Sequence, residues 1–138
     1  MADKKVHRID KSTARAYLGK AKQFLAASQA ELTRENHDSC LLLAIHAGIS
    51  AADAVSVALG GVRSTDPDHL KAADLLEEIA IRSTVAKEQA NKLRALIKQK
   101  NLVEYEDRRT TSTEAGAGAK RAERLVDWAS EVVARANL

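Results

Sequence analysis

The run from Leu41 to Leu59 is apolar on nearly every side, and this constrains the chain more than any other feature. Leu41, Ile45, Gly48, Ala52, Val55 and Leu59 fall on one stripe at the helical period. Leu42, Leu43, Ile49 and Val57 widen the apolar surface beyond that stripe, so this helix is either central or at an interface. Ala44, Ala47, Gly48, Ser50, Ala51, Ala52 and Ala54 are small enough for a partner helix to approach closely. Gly60-Gly61 stops the helix.

The remaining segments supply its partners. From about Lys11 to Arg34, apolar residues recur at Ala14, Tyr17/Leu18, Ala21, Phe24/Leu25, Ser28 and Leu32. Ser64-Thr65-Asp66-Pro67 is a helix-start signal with Asp66 as N-cap and Pro67 at the first helical position, and this third helix runs to about Arg82. Ser83-Thr84 interrupts it. Val85, Leu93, Leu96 and Ile97 then mark a fourth helix ending near Asn101. After polar residues 106–111, Ser112 makes a partial capping box with Glu114 or Ala115 and opens the last helix, whose buried face carries Ala115, Ala119, Ala122, Leu125/Val126, Ala129, Val132/Val133 and Ala136. Gly116 and Gly118 weaken its first turns. No strand-like alternation and no repeat period is evident. The expected fold is all-α, an antiparallel four/five-helix bundle spanning residues 1–138 as one domain, with 1–10 as a flexible tail.

A chain of 138 residues buries enough surface for an ordinary core without staples. One cysteine, Cys40, excludes an internal disulfide framework, and no Cys/His spacing fits a structural zinc site. No signal-peptide pattern and no long uncharged apolar stretch is present, so a cytoplasmic protein outside the membrane is expected. Charge is uneven: net +5 over residues 1–22, −6 over 35–81 and +4 over 82–138. That pattern fits a nucleic-acid footprint or complementary subunit patches, but also plain solvated helix faces, which scarce aromatics and the lack of long like-charge blocks favour.

The common signatures of phosphate loops, dinucleotide folds, zinc hydrolases and serine hydrolases are absent, and no metal or cofactor is expected. The four histidines, His7, His37, His46 and His69, are scattered. His46 lies among Ala44, Ile45 and Ala47, which suits a packed imidazole better than a general base. Asp53 follows seven residues later on nearly the same face, too far to bond His46, and if buried must find another partner. The densest polar cluster is Lys98, Lys100, Asn101, Glu104, Tyr105, Arg108 and Arg109. If the helix continues through Tyr105, then Lys100, Asn101, Glu104 and Tyr105 converge on one side. Cation, amide, carboxylate and phenol together suit a phosphate-bearing ligand. A charged helix terminus with Tyr105 packed over the bundle is the plainer alternative.

These residues resemble those of HEPN domains. The run from Leu42 to Ala54, with its His46-Ala47 and Ala52-Asp53-Ala54 elements, is similar to the second helix of that family, and Lys100-Asn101-Leu102-Val103-Glu104-Tyr105 is similar to the segment after its fourth helix. The resemblance spans nearly the whole chain, including Asp68-His69 and the Ala-rich last helix. It implies a homodimer whose polar motifs face a shared cleft, RNA cleavage or RNA and nucleotide binding, and pairing with a small nucleotidyltransferase in toxin-antitoxin or defence modules. The ribonuclease members carry an Arg followed four to six residues later by a His. Here Lys100 stands for the Arg and Tyr105 occupies the His position. A phenol ordinarily ionises near pH 10, ill-matched to proton transfer at neutrality. The reading is therefore a catalytically degenerate HEPN-like protein that binds a partner protein or a nucleotide or RNA through Lys100, Asn101, Tyr105 and Arg108, with His46 and Asp53 as further ligand-binding candidates. One alternative is a metal-independent ribonuclease toxin using Tyr105, Glu104 or His46. Another is a structural adaptor that docks through its second helix, where Ala51 and Ala52 would be critical.

Overall fold

The computed structural model describes residues 5–138. Among them it contains β1 (Val6–Arg8), a 3-10 turn (Lys11–Thr13), α1 (Ala14–Thr33), α2 (His37–Gly60), β2 (Val62–Ser64), α3 (Leu70–Ile79), α4 (Thr84–Lys98), α5 (Lys100–Tyr105) and α6 (Ser112–Arg135). The fold is all-helical but for the two short strands.

α2 is the central helix. It packs against α1, α6, α3 and α4, and a run of its residues from Ala51 to Ala58 is buried without a break. The same core cluster collects Leu18 from α1, Leu76 from α3, Leu93 and Leu96 from α4, and Leu125 and Val126 from α6. By length and mean hydropathy α2 could cross a membrane, closer to that limit than its interruptions by His46 and Asp53 suggest, yet 72% of its most apolar window is buried inside the bundle. Of the two expectations for α2, the central one holds. Ala51 and Ala52, each 1% exposed, lie inside this chain's own core and leave no surface there for an adaptor.

Close approach follows from the small residues. A Cβ at Gly118 of α6 would sit 2.6 Å from Leu41 Cδ1, and one at Gly48 would meet Leu96, Leu93 and Leu125 at 3.1 to 3.3 Å. One buried polar tie joins α1 to α2: Ser28 Oγ donates to the Cys40 carbonyl at 2.7 Å. Burial pushes the Cys40 thiol up. The α1–α2 reversal is a Schellman turn, with Asn36 N–H donating to Glu31 O and Glu35 N–H to Leu32 O, and Glu35 in the left-handed region at φ 62°.

Helix limits differ from expectation where capping is decided by local hydrogen bonds. Pro67 does not start α3. Asp66 Oδ1 accepts from Asp68 N and Asp68 Oδ1 from Leu70 N, so two successive Asx turns postpone the helix to Leu70. α6 is capped one residue earlier than expected, by a complete box in which Thr111 Oγ1 accepts from Glu114 N and Glu114 accepts from Thr111 N. Ser83 Oγ accepts from Ala86 N and caps α4.

The strands are a correction to the expectation of none. β1 pairs antiparallel with β2 in the register Val6↔Ser64, His7↔Arg63, Arg8↔Val62. Gly61 is the left-handed cap of α2 at φ 63°, and its carbonyl accepts from Ile9 N. Of the stretch 1–10 expected as a flexible tail, residues 1–4 lie outside the described residues, whereas 6–8 are clipped onto the α2–α3 connection.

Two glycines of one helix separate propensity from packing. Gly116 has open space where a Cβ would be, so Gly116→Ala raises stability by about 0.5–1 kcal/mol. Gly118→Ala has the same helical gain but must displace the fully buried Leu41, and lies at least about 1 kcal/mol below Gly116→Ala in denaturant unfolding.

Candidate functional site

His46, one and a half turns before Ala51 on α2, is half-buried with its ring tilted 41° against Phe24 at 5.8 Å between centroids. Burial lowers its pKa first, and the charges of His69 and Lys100 lower it further against an opposing pull from Glu104. Those three groups come from the residue before α3 and from α5, so a second imidazole, an ammonium and a carboxylate all lie within electrostatic reach of His46. Burial thus disfavours the charged form of the His46 imidazole.

α5 is a separate short helix set off from α4 by Gln99, and it carries the polar cluster as the continuation through Tyr105 requires. Lys100 Nζ pairs with Glu104 Oε2 at 3.5 Å, both side chains about a quarter exposed. Asn101 Nδ2 donates to Glu106 at 3.4 Å. Tyr105 is 75% exposed, so it is not packed over the bundle. Leu102 and Val103 anchor the helix to the core.

Arg108 turns the other way. Its guanidinium forks onto Glu114 with bonds of 2.9 and 3.0 Å, joining the cap of α6. The Arg108 bonds, with those from Thr111, hold the Glu114 carboxyl down at about 2. Arg109 lies by the start of α2, where Asp38 Oδ1 accepts from Thr110 N at 2.9 Å and that bond holds the Asp38 carboxyl low.

Asp53 sits two turns beyond His46 and is 8% exposed. It lines a pocket of about 310 Å³ with Ile49, Arg63, Thr65, Pro67 and His69. Burial pushes its carboxyl up to about 7, and the charge of Arg63 only partly offsets this. Arg63 is held there by the β1–β2 pairing, with its guanidinium 5.5 Å from the Tyr17 ring centroid and its Nε buried without a partner. Among the described residues no three of His, Cys, Asp and Glu come together to hold a metal ion.

The candidates thus fall into two neighbouring groups, Lys100 and Glu104 with His46, and Asp53 with its pocket, while Arg108 serves the α6 cap. His69 and Arg63 belong beside them and were not singled out by sequence. The one signal for His69 was its place in the Asp68-His69 pair; Arg63, in an unmarked connection, gave none.

The HEPN domain family model matches residues 14–132, which takes in every helix but the last three residues of α6. No curated protein matches the sequence.

The elevated Asp53 carboxyl makes stability depend on pH with a definite sign. Its folded-state pKa lies above its unfolded value, so the folded chain binds the extra proton, and stability present below about pH 4 is lost as pH rises to about 7. Asp53→Asn removes that loss. Denaturant unfolding should find the variant and wild type similar at pH 4, and the variant more stable at pH 8 by on the order of 2–4 kcal/mol.

Proposed function

The chain belongs to the HEPN domain family, and from that premise we propose that its α2–α3–α5 face binds the phosphate of a nucleotide or of single-stranded RNA without cleaving it. The observation that carries the reading is the gathering of His69 and the Lys100–Glu104 pair within electrostatic reach of His46. Lys100 supplies a compact ammonium for phosphate oxygens, and Glu104 holds it in place until the ligand competes for it. His46 and His69 supply N–H donors without a permanent charge. Tyr105, exposed at the edge of the same short helix, offers a ring on which a base stacks. A second copy of the chain and a nucleotidyltransferase-type protein are the partners that family membership brings forward for pull-down.

Catalytic degeneracy is supported by chemistry. The residue at the position of the family's motif histidine is the solvated phenol of Tyr105. One observation favours the ribonuclease alternative: the imidazole of His46 lies within electrostatic reach of Lys100 and Glu104, which puts a proton-transfer group beside them.

Anisotropy of labelled single-stranded RNA in chelator, with the RNA run on a gel afterwards, tests both. Binding should weaken as salt rises and the RNA should stay intact. Lys100→Ala should lower affinity by about tenfold and flatten the salt dependence by roughly one counterion. Arg108→Ala should leave affinity unchanged while lowering the melting temperature through the α6 cap. Cleavage that His46→Ala abolishes would replace this reading with the ribonuclease.

A further inference from the structure

We propose that the pocket between α2 and the β2–α3 connection recognises a guanine base, through Asp53 on one edge and Arg63 on the other; the assignment rests on the phosphate-binding reading above and extends it to one nucleotide.

The pocket, at about 310 Å³, is at the small end for ligand sites, the scale of one flat ring system. Two of the groups lining it are unsatisfied. Asp53 is more than nine-tenths buried, and among the described residues it has no hydrogen bond and no ion pair. Arg63 spends one long bond, 3.4 Å, on the Ser64 carbonyl, and its Nε is buried without a partner. The two feel each other's charge yet form no contact within 4 Å. The Nε of Arg63 is enclosed, so the Nη groups are what a pocket ligand can meet, whereas the Asp53 carboxyl is open to the pocket and a ligand that pairs with it offsets the cost of its burial.

The donor pattern selects that third party. In its ionised form, which predominates above about pH 7, the Asp53 carboxyl offers two acceptor oxygens side by side, and guanine is the common base with two adjacent donors, N1–H and the N2 amino group, on one edge, so the preference is read at pH 8. Adenine presents an acceptor at N1, and uracil a single donor between two acceptors, so each sets an oxygen or nitrogen lone pair against Asp53. On the adjoining edge guanine presents O6 and N7, the pair that a guanidinium reads best. Asp53 and Arg63 line the same pocket without pairing with each other, which leaves one for each of these two adjoining edges. Ile49 and Pro67 supply apolar lining for the ring.

His69 joins this pocket to the cationic face, since it lines the one and its charge is felt by His46 in the other. From His46 to Asp53 is seven residues of helix, about 10 Å of rise, comparable to the distance from a base edge to its own phosphate. A cation is not the occupant: Asp53, Asp66 and His69 all line the pocket, but Arg63 opposes a cation there and no three such side chains among the described residues are placed to hold a metal ion.

Calorimetric titration of the full chain with GMP, IMP, AMP and XMP tests the assignment. GMP should bind at least about tenfold more tightly than AMP, with IMP, which lacks the N2 amino group, between them. Asp53→Asn should reverse the preference to XMP, whose C2 carbonyl accepts from the new amide, and thermal unfolding checks that this near-isosteric variant is folded. Arg63→Ala should weaken GMP and IMP alike. A short RNA carrying one guanine distinguishes the sources: affinity tenfold or more above GMP assigns the base to an RNA, and equal affinity to a free nucleotide. Equal affinity for GMP and AMP, still lowered by Lys100→Ala, would overturn the base assignment and leave the phosphate reading standing. A folded wild type that binds neither nucleotide nor RNA would overturn both.

Discussion

Everything in this bundle depends on how closely other helices approach α2. Its Ala and Gly side chains remove the bulk that normally keeps helix axes 8–10 Å apart, and the leucines of α4 and α6 fill the space instead. Leu93, Leu96 and Leu125 meet at Gly48, and Leu41 meets α6 at Gly118. The exchange runs both ways: leucines of α4 and α6 fill the space at Gly48 of the central helix, and Leu41 of the central helix fills the space at Gly118 of α6. A central helix surrounded in this way has no free face, and its few polar groups must be accommodated where the surrounding layer is thinnest.

That is where His46 and Asp53 lie. Asp53 faces the β2–α3 connection, and His46 lies between Phe24 of α1 and the charges of His69, Lys100 and Glu104. The energetic tension is greatest at Asp53. A carboxyl raised to about 7 is a group whose burial disfavours the charge, yet a guanidinium lines the same pocket. Polar groups at a helix surface that pack poorly with their own chain are a common property of binding sites. His46 is moderated instead by ring contact with Phe24, which leaves the imidazole edge available.

The helices were legible because each carries its apolar stripe over three or more turns, and the central role of α2 was legible because its stripe is too wide for one face. What escaped was set by short-range hydrogen bonds or by contacts distant in sequence. The delay of α3 to Leu70 is decided by two carboxylates that bond backbone N–H groups, which no periodicity registers. Two strands of three residues, 54 positions apart, are too short to alternate visibly. In the site, Lys100, Glu104, His46 and Asp53 could be named from residue type and spacing on their own helices. Arg63 and His69 could not, because what brings them to α2 is the strand pairing and the turn before α3.

The β1–β2 clip has a kinetic consequence. All other packing is between helices whose nuclei form locally, whereas this pairing closes a loop of more than fifty residues for only a few hydrogen bonds. Few bonds hold it, which places it at the low-stability end of the structure, and opening it releases Arg63 from its place over Tyr17. Amide exchange at the clip would then run ahead of exchange in α2. The wall of the pocket that carries the guanidinium thus has a lifetime of its own, shorter than that of the bundle supporting it.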